Sequence, residues 1–179
     1  VQVVQAVLNT LRNAGINGIS VGAGTGTWLP NFADFIQGFA STSVQFIDLH
    51  VYPLGGNFLL NAIAGADMAR AAGKPVAMSG VGDFKIRDSE TGVLTLTQVS
   101  ARDPFSFWAP IDTAFAQALA GYSAYEGVLF VSPFWTHYFS AYLDYGTHGS
   151  LPEGPAIIAS NAASLTAVLA GRFTSTGLA

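Results

Sequence analysis

Gly73-Lys74-Pro75-Val76-Ala77-Met78-Ser79-Gly80-Val81-Gly82 is the stretch on which the reading of the fold turns. A helix-like run stops at Gly73, and Val76 to Val81 then form a short apolar run of the kind that fills a strand buried on both faces of a parallel sheet. The exit of this strand carries no ionisable group, which limits what it can catalyse. Three further runs have the same character: residues 16–23, 45–52 and 127–133. Between the four lie helical patterns at residues 1–14, 31–40, 58–72 and 104–125, the last as one or two helices, with a closing helix at 154–170. Gly15, Gly73 and Gly171 stand where helices end in a left-handed residue.

Alternating helices and strands predict a parallel α/β sheet, either covered on both faces or closed into a barrel. The strand-to-strand period of roughly 30 residues fits the unit of a (β/α)8 barrel, with a doubly wound sheet as the alternative. Residues 83–102 interrupt the period. There, residues 84–87 and 93–97 flank Asp88-Ser89-Glu90-Thr91-Gly92 and read as a surface hairpin. The whole of residues 1–179 is expected to form one α/β domain.

Composition narrows the chemistry. Half of the 179 residues are hydrophobic and only 10% are charged, against about 25% in an average soluble domain. That balance predicts doubly buried strands or a surface hidden by a partner, and it excludes disorder. A net charge of −4 with seven Lys plus Arg leaves no basic patch for nucleic acid. Without cysteine there is neither a disulfide nor a thiolate metal site. Gly, Pro, Ser and Asn interrupt every apolar stretch before about 18 residues, so a soluble protein without a membrane span is expected. The compartment is left open, secretion included. The chain starts at Val1 inside a helical pattern, without a visible signal sequence, as a processed protein or the latter part of a longer one would.

Side-chain alternation puts Phe46, Asp48, His50 and Tyr52 on one face of the second strand, and Ile47, Leu49 and Val51 on the other. Buried polar groups need partners, and polar residues in succession near a strand exit point to a site. On the next strand Val76, Met78 and Gly80 share a phase, which turns Ser79 toward the helices. Leu129, Val131, Pro133 and Trp135 share another. Trp135 is suited to stack on a flat ligand or a sugar ring, whereas Phe130, Phe134 and Phe139 read as core. Gly22-Ala23-Gly24-Thr25-Gly26 lacks the lysine of a phosphate-binding loop and reads as a flexible loop over the sheet. Asp48 and His50 have no third partner that would make a metal site.

His50-Val51-Tyr52-Pro53, Gly73-Lys74-Pro75-Val76 through Val81-Gly82, and Phe134-Trp135 resemble the sixth, seventh and eighth strand exits of the clan of retaining glycoside hydrolases that includes many cellulases and mannanases. The resemblance spans most of the chain and implies the last four βα units of a TIM barrel. It implies an O-glycoside hydrolase acting on β-linked oligo- or polysaccharide without a cofactor, with His50 and Tyr52 lining the catalytic subsite and Trp135 beneath the sugar. Trp28, His137 and Asp83 complete the candidate substrate-binding set. It also calls for a glutamate where Gly80 stands, and for an acid/base glutamate in a segment that would precede Val1. Retaining hydrolysis needs two carboxyl groups about 5–5.5 Å apart. Gly80 therefore marks a removed nucleophile, a natural loss that leaves a sugar-binding pseudoenzyme, or a different TIM-barrel family. Four units leave open sheet edges, so an upstream half-barrel or a second copy of the chain is the expected partner, beside the carbohydrate. Of the remaining acids, Glu90 reads as a solvated hairpin tip, Glu126 as preceding the last strand, and Glu153 as favouring a helix N-terminus.

Overall fold

Four parallel strands in the order β1-β2-β3-β4 set the frame of the molecule. A computed structural model describes residues 1–52, 57–134 and 136–179, and the chain is mixed α/β. It forms two compact units, Val1–Gly82 with Ser123–Phe134, and Asp83–Tyr122 with Trp135–Ala179.

The first unit holds the sheet: β1 Gly22–Gly26, β2 Phe46–Val51, β3 Val76–Val81 and β4 Val131–Pro133, with α1 Gln2–Asn13, α2 Phe32–Ala40 and α3 Phe58–Ala71 between them. Each strand lies beside the next in sequence, so the order has no reversal of the kind that defines a doubly wound sheet. Ile47, Leu49 and Val51 are buried, and so are Val76, Ala77 and Met78 in succession, as a central parallel strand requires. α3 presents Ala62, Gly65, Ala66 and Ala69 at helical spacing as its buried stripe. A Cβ on Gly65 would already lie 3.0 Å from Ile36 Cδ1 and 3.4 Å from Leu49, so small residues set how closely α3 approaches α2 and the sheet. Gly15, Gly73 and Gly171 all have positive φ, at 70°, 73° and 64°, directly after helix ends. Lys74, next to Gly73, sends its ammonium to the carbonyls of Thr42 and Val44 at 3.2 and 2.8 Å, which ties the α3–β3 turn to the start of β2.

Two sequence expectations need correction. The first strand is Gly22–Gly26, not residues 16–23, so the glycine-rich segment read as a loop is the strand itself. Ile16 and Ile19 are 46% and 54% exposed. The reason lies across the sheet, because a Cβ on Gly22 would fall 2.1 Å from the Phe46 ring and one on Gly24 2.6 Å from the Asp48 carbonyl oxygen. Large side chains on β2 take the space that β1 gives up.

The second correction concerns the insertion, which holds no hairpin among the described residues. It forms a 3-10 turn at Asp88–Glu90 and the short helix α4 Leu96–Ser100. Thr95 and Gln98 make a reciprocal capping box at the start of α4. Glu90 is not a solvated tip, since it takes Arg102 in a bidentate pair at 3.0 and 2.6 Å. The turn is thus held by local side-chain bonds that compete successfully with strand pairing.

The second unit also contains most of α5 Ala109–Glu126, with α6 Tyr145–His148 and α7 Glu153–Leu169. Its interior includes Val99, Phe105, Tyr138, Leu143 and Ala156, but also Lys85, Asp103 and Asp112, an uncommon set for a buried core. No helix among the described residues is long and apolar enough to cross a membrane.

Candidate functional site

The face of the sheet opposite the buried Ile47, Leu49 and Val51 carries a row along β2 of Phe46, Asp48 and His50, each half-buried, continued by Tyr52. Glycines on the neighbouring strands border that row. Gly22, Gly24 and Gly26 on β1 lie opposite Phe46, Asp48 and His50 in register, and Gly80 lies opposite His50 on β3. The polar residues therefore stand up beside a low β1, with a gap at Gly80 on β3.

Asp48 is the anchor of the row. Its Oδ1 accepts the backbone N–H of Ser79 at 2.8 Å, and its Oδ2 accepts the Ser79 hydroxyl. His50 Nε2 lies 3.1 Å from the same Oδ2 and 3.3 Å from Ser79 Oγ. The Ser79 amide bonds a side chain across the sheet, and the β2–β3 register shifts at this point. This irregularity corrects the simple alternation: Ser79 does not face the helices but joins Asp48 and His50, while Gly80 still points at His50 and Tyr52. Asp, His and Ser together suggest a nucleophilic relay, yet both contacts use Nε2. A relay needs one ring nitrogen on the acid and the other on the hydroxyl. The trio is a clamp that orients the imidazole, and in a neutral ring the Asp48 carboxylate beside Nε2 favours the tautomer with its proton there and Nδ1 as the acceptor.

Nδ1 looks toward Gly80. A Cβ built there would lie 3.4 Å from His50 Cγ, 3.5 Å from Nδ1 and 3.5 Å from the Tyr52 hydroxyl oxygen, which is ordinary contact. Position 80 thus has room for a Cβ and holds none. Around it stand aromatic rings at the strand exits. Trp28 meets Tyr52 edge-on at 5.3 Å, and Tyr52 meets Phe134 edge-on at 6.2 Å. Trp28 is placed by its neighbours, since Thr27 donates its amide and hydroxyl to the His50 carbonyl, both at 3.1 Å, and Asn61 donates to the Thr27 carbonyl. The ring then lies over Gly26, where a Cβ would meet it at 2.6 Å. Burial raises the pKa of Tyr52, so its hydroxyl stays protonated and can donate. Phe134 and Phe130 are 51% and 45% exposed, so neither is the core residue that the sequence suggested. Trp135, expected beneath a sugar, lies outside the described residues, as does Pro53.

Asp83 and His137 belong to the second unit. There Lys85, Asp112 and Tyr142 form a buried knot: Lys85 Nζ donates to Asp112 at 3.0 Å and to the Asp103 carbonyl at 3.2 Å, and lies 4.1 Å above the Tyr138 ring. Tyr142 donates to Asp112 at 2.6 Å. Burial, with the charge of Asp112 beside it, pushes the Asp83 carboxyl up to about 7. Burial likewise lifts Asp103 to about 6 and lowers the His137 imidazole to about 4, so His137 is neutral across the physiological range. Asp83 lies beside this knot, and its Oδ2 is buried without a hydrogen-bond partner. Sequence reasoning missed Lys85, Asp103 and Asp112; a lysine next to Phe84 in a weakly charged chain gave no sign that it would be buried.

Glu126 holds Arg70, whose other nitrogen reaches Asp67 at 2.7 Å, and Glu153 opens α7 as a first-turn acid. Among the described residues no group of three or more His, Asp or Glu is arranged to hold a metal ion.

Fold and site define a mixed α/β protein with an aromatic and polar row at the exits of a parallel sheet. Comparison of the chain with known protein families, with curated proteins and with solved structures finds no match.

Proposed function

We propose that the sheet is the second half of a (β/α)8 barrel of the glycoside-hydrolase type, and that its strand exits bind β-linked oligo- or polysaccharide. The observation that carries this reading is the edge-to-face row Trp28, Tyr52 and Phe134 around the unfilled position of Gly80. Half-exposed rings offer a stacking surface to the apolar face of a pyranose. Tyr52 supplies a donor and His50 Nδ1 an acceptor for ring hydroxyls. The glycine leaves depth for the sugar that a glutamate would attack in the parent reaction. Asp48 does not replace that glutamate, because Ser79 and His50 already occupy its oxygens. The chain is therefore read as a carbohydrate-binding relative of retaining O-glycoside hydrolases, whose cleavage chemistry requires carboxylates from elsewhere. An upstream half-barrel or a second copy would complete the barrel.

Calorimetric titration of the protein with cellotetraose and mannotetraose tests the reading. Saturable binding of one series is expected, weakened about tenfold in Trp28→Ala, since the loss of one stacked ring is on the order of 1.5 kcal/mol. Absence of binding to both series, or an affinity indifferent to Trp28, would overturn it.

A further inference from the structure

Pairing the buried charges of the second unit leaves one carboxyl over. Lys85 lies 3.0 Å from each oxygen of Asp112, so that ammonium is shared out within one pair. Arg102 is bound to Glu90, and acts together with Lys85 on the charge of Asp103. Asp83 has only the attraction of the same Lys85, and its carboxyl neighbours that of Asp112. Two carboxylates side by side and away from water repel, so the arrangement suits a protonated Asp83.

Asp112 also reaches an element that is lightly held. Tyr142 donates to its Oδ2 at 2.6 Å, which leaves the Tyr142 oxygen to accept from Thr176 Oγ1 at 2.7 Å. Thr113 Oγ1 lies 3.2 Å from Thr176 Oγ1 and 3.0 Å from Ser175 Oγ. The row Asp83, Asp112, Tyr142, Thr176 thus runs from the left-over carboxyl to the 3-10 turn Thr176–Leu178. Beyond these hydroxyls, Thr174 ties the turn down, its amide donating to the Phe139 carbonyl at 2.9 Å and its hydroxyl to the Tyr138 carbonyl. Thr176 is 6% exposed and Leu178 76%, so a buried hydroxyl seats the turn in place of an apolar anchor. A short turn held by few bonds opens before the helices do.

We propose that the Thr176–Leu178 turn is a pH-sensitive latch, seated on Tyr142 while Asp83 is neutral and released when Asp83 ionises. Release lets water reach the excess negative charge beside Asp112. The groups that face Asp83 are Asp112, Lys85, Tyr138 and Tyr142, and Asp103 and His137 face Lys85 in turn. Burial, with the Asp112 charge beside it, holds the Asp83 proton up to about 7, and burial lifts Asp103 to about 6. Asp103 ionises first, with Lys85 and Arg102 to offset it; Asp83 ionises last, with Lys85 alone. His137 stays neutral down to about 4, and both tyrosines are pushed up out of reach. A proton held more tightly in the seated state favours that state at low pH, and the advantage is lost as pH rises through about 7.

Amide hydrogen exchange on the whole chain, corrected for intrinsic rate, separates the latch from general opening. Thr174 reports the latch, and Leu143, whose amide donates to the Pro104 carbonyl at 2.7 Å, reports the unit around it. Protection of Thr174 is expected to fall about tenfold or more from pH 5 to pH 8, as linkage to one shifted carboxyl gives, and that of Leu143 to fall less. Asp83→Asn keeps the pair neutral and should abolish the fall. Tyr142→Phe cuts the link to Thr176 and should leave Thr174 poorly protected at both pH values; it decides the matter if Asp83→Asn does not fold. Protection of Thr174 indifferent to pH, an equal fall at Leu143, or a fall that survives either substitution would overturn the proposal.

Discussion

Gly80 and His50 lie opposite each other in register on β3 and β2. A side chain at position 80 would contact His50 and Tyr52 at ordinary distances, so nothing steric in this unit demands glycine there. Gly80→Ala should leave the melting temperature within the change of about 0.5 kcal/mol typical of a harmless substitution. Gly80→Glu should fold as well, placing a carboxylate within reach of the Tyr52 hydroxyl. On the half-barrel proposal, this variant combined with an upstream half-barrel that carries an acid/base glutamate is expected to cleave a β-linked aryl glycoside; a folded but inert combination would favour the binding reading. The proton on His50 is a separate question with its own measurement. Long-range nitrogen–proton correlation of the ring should report the Nε2–H tautomer, because Nε2 faces the Asp48 carboxylate. In Asp48→Asn the Ser79 amide holds the remaining oxygen at the Oδ1 position, so the NH₂ group turns to Nε2 and the ring proton moves to Nδ1. An unchanged tautomer in that variant would refute the clamp.

Elements show how far the sequence could be read. β2 was legible because its alternation is strict, and the pattern of half-buried and buried residues follows it from Phe46 to Val51. α3 and β3 were legible for a similar reason, with Gly73 and Pro75 marking the turn between them. β1 was not, because a strand of alternating glycines has no side chains from which to read a period, and its reason for existing sits on β2. The polar clamp was half legible: the alternation of β2 found Asp48 and His50, but the irregularity on β3 that brings Ser79 to them is a tertiary feature. The strand of glycines also gives a sharp test. A Cβ on Gly24 would press on backbone, the Asp48 carbonyl, rather than on a side chain that can rotate away. Gly24→Ala is therefore expected to cost about 1–3 kcal/mol by overpacking, measurable by urea denaturation. Gly80→Ala serves as the tolerated control.

On the scale of the whole molecule, stability should carry a pH signature and assembly an edge signature. Asp83 and Asp103 bind protons more tightly folded than unfolded, so each favours the folded state below pH 4 and loses that contribution as pH rises through about 7 and about 6. His137 acts in the opposite sense between about 4 and 6.5, where only the unfolded chain charges it. The two aspartates outweigh it, and Asp83→Asn should raise the melting temperature more at pH 8 than at pH 5 and not at pH 3, at pH 8 by at least the roughly 2–4 °C that 1 kcal/mol produces in a chain of this size. The edge signature follows from the sheet order. β1 and β4 are terminal, and their outer backbone groups have no strand partner among the described residues. Leu129 and Phe130, which lead into β4, are 56% and 45% exposed, and Ile19 ahead of β1 is 54% exposed. An unpaired strand beside exposed apolar side chains is a template for another strand. Light scattering of the purified 18.6 kDa chain should consequently report a dimer or larger species whose mass grows with concentration. An upstream half-barrel supplied as a separate chain should collapse that distribution into a one-to-one complex by closing both edges. A monodisperse monomer that ignores such a partner would mean that the sheet is complete as it stands, and the half-barrel reading would fall with it.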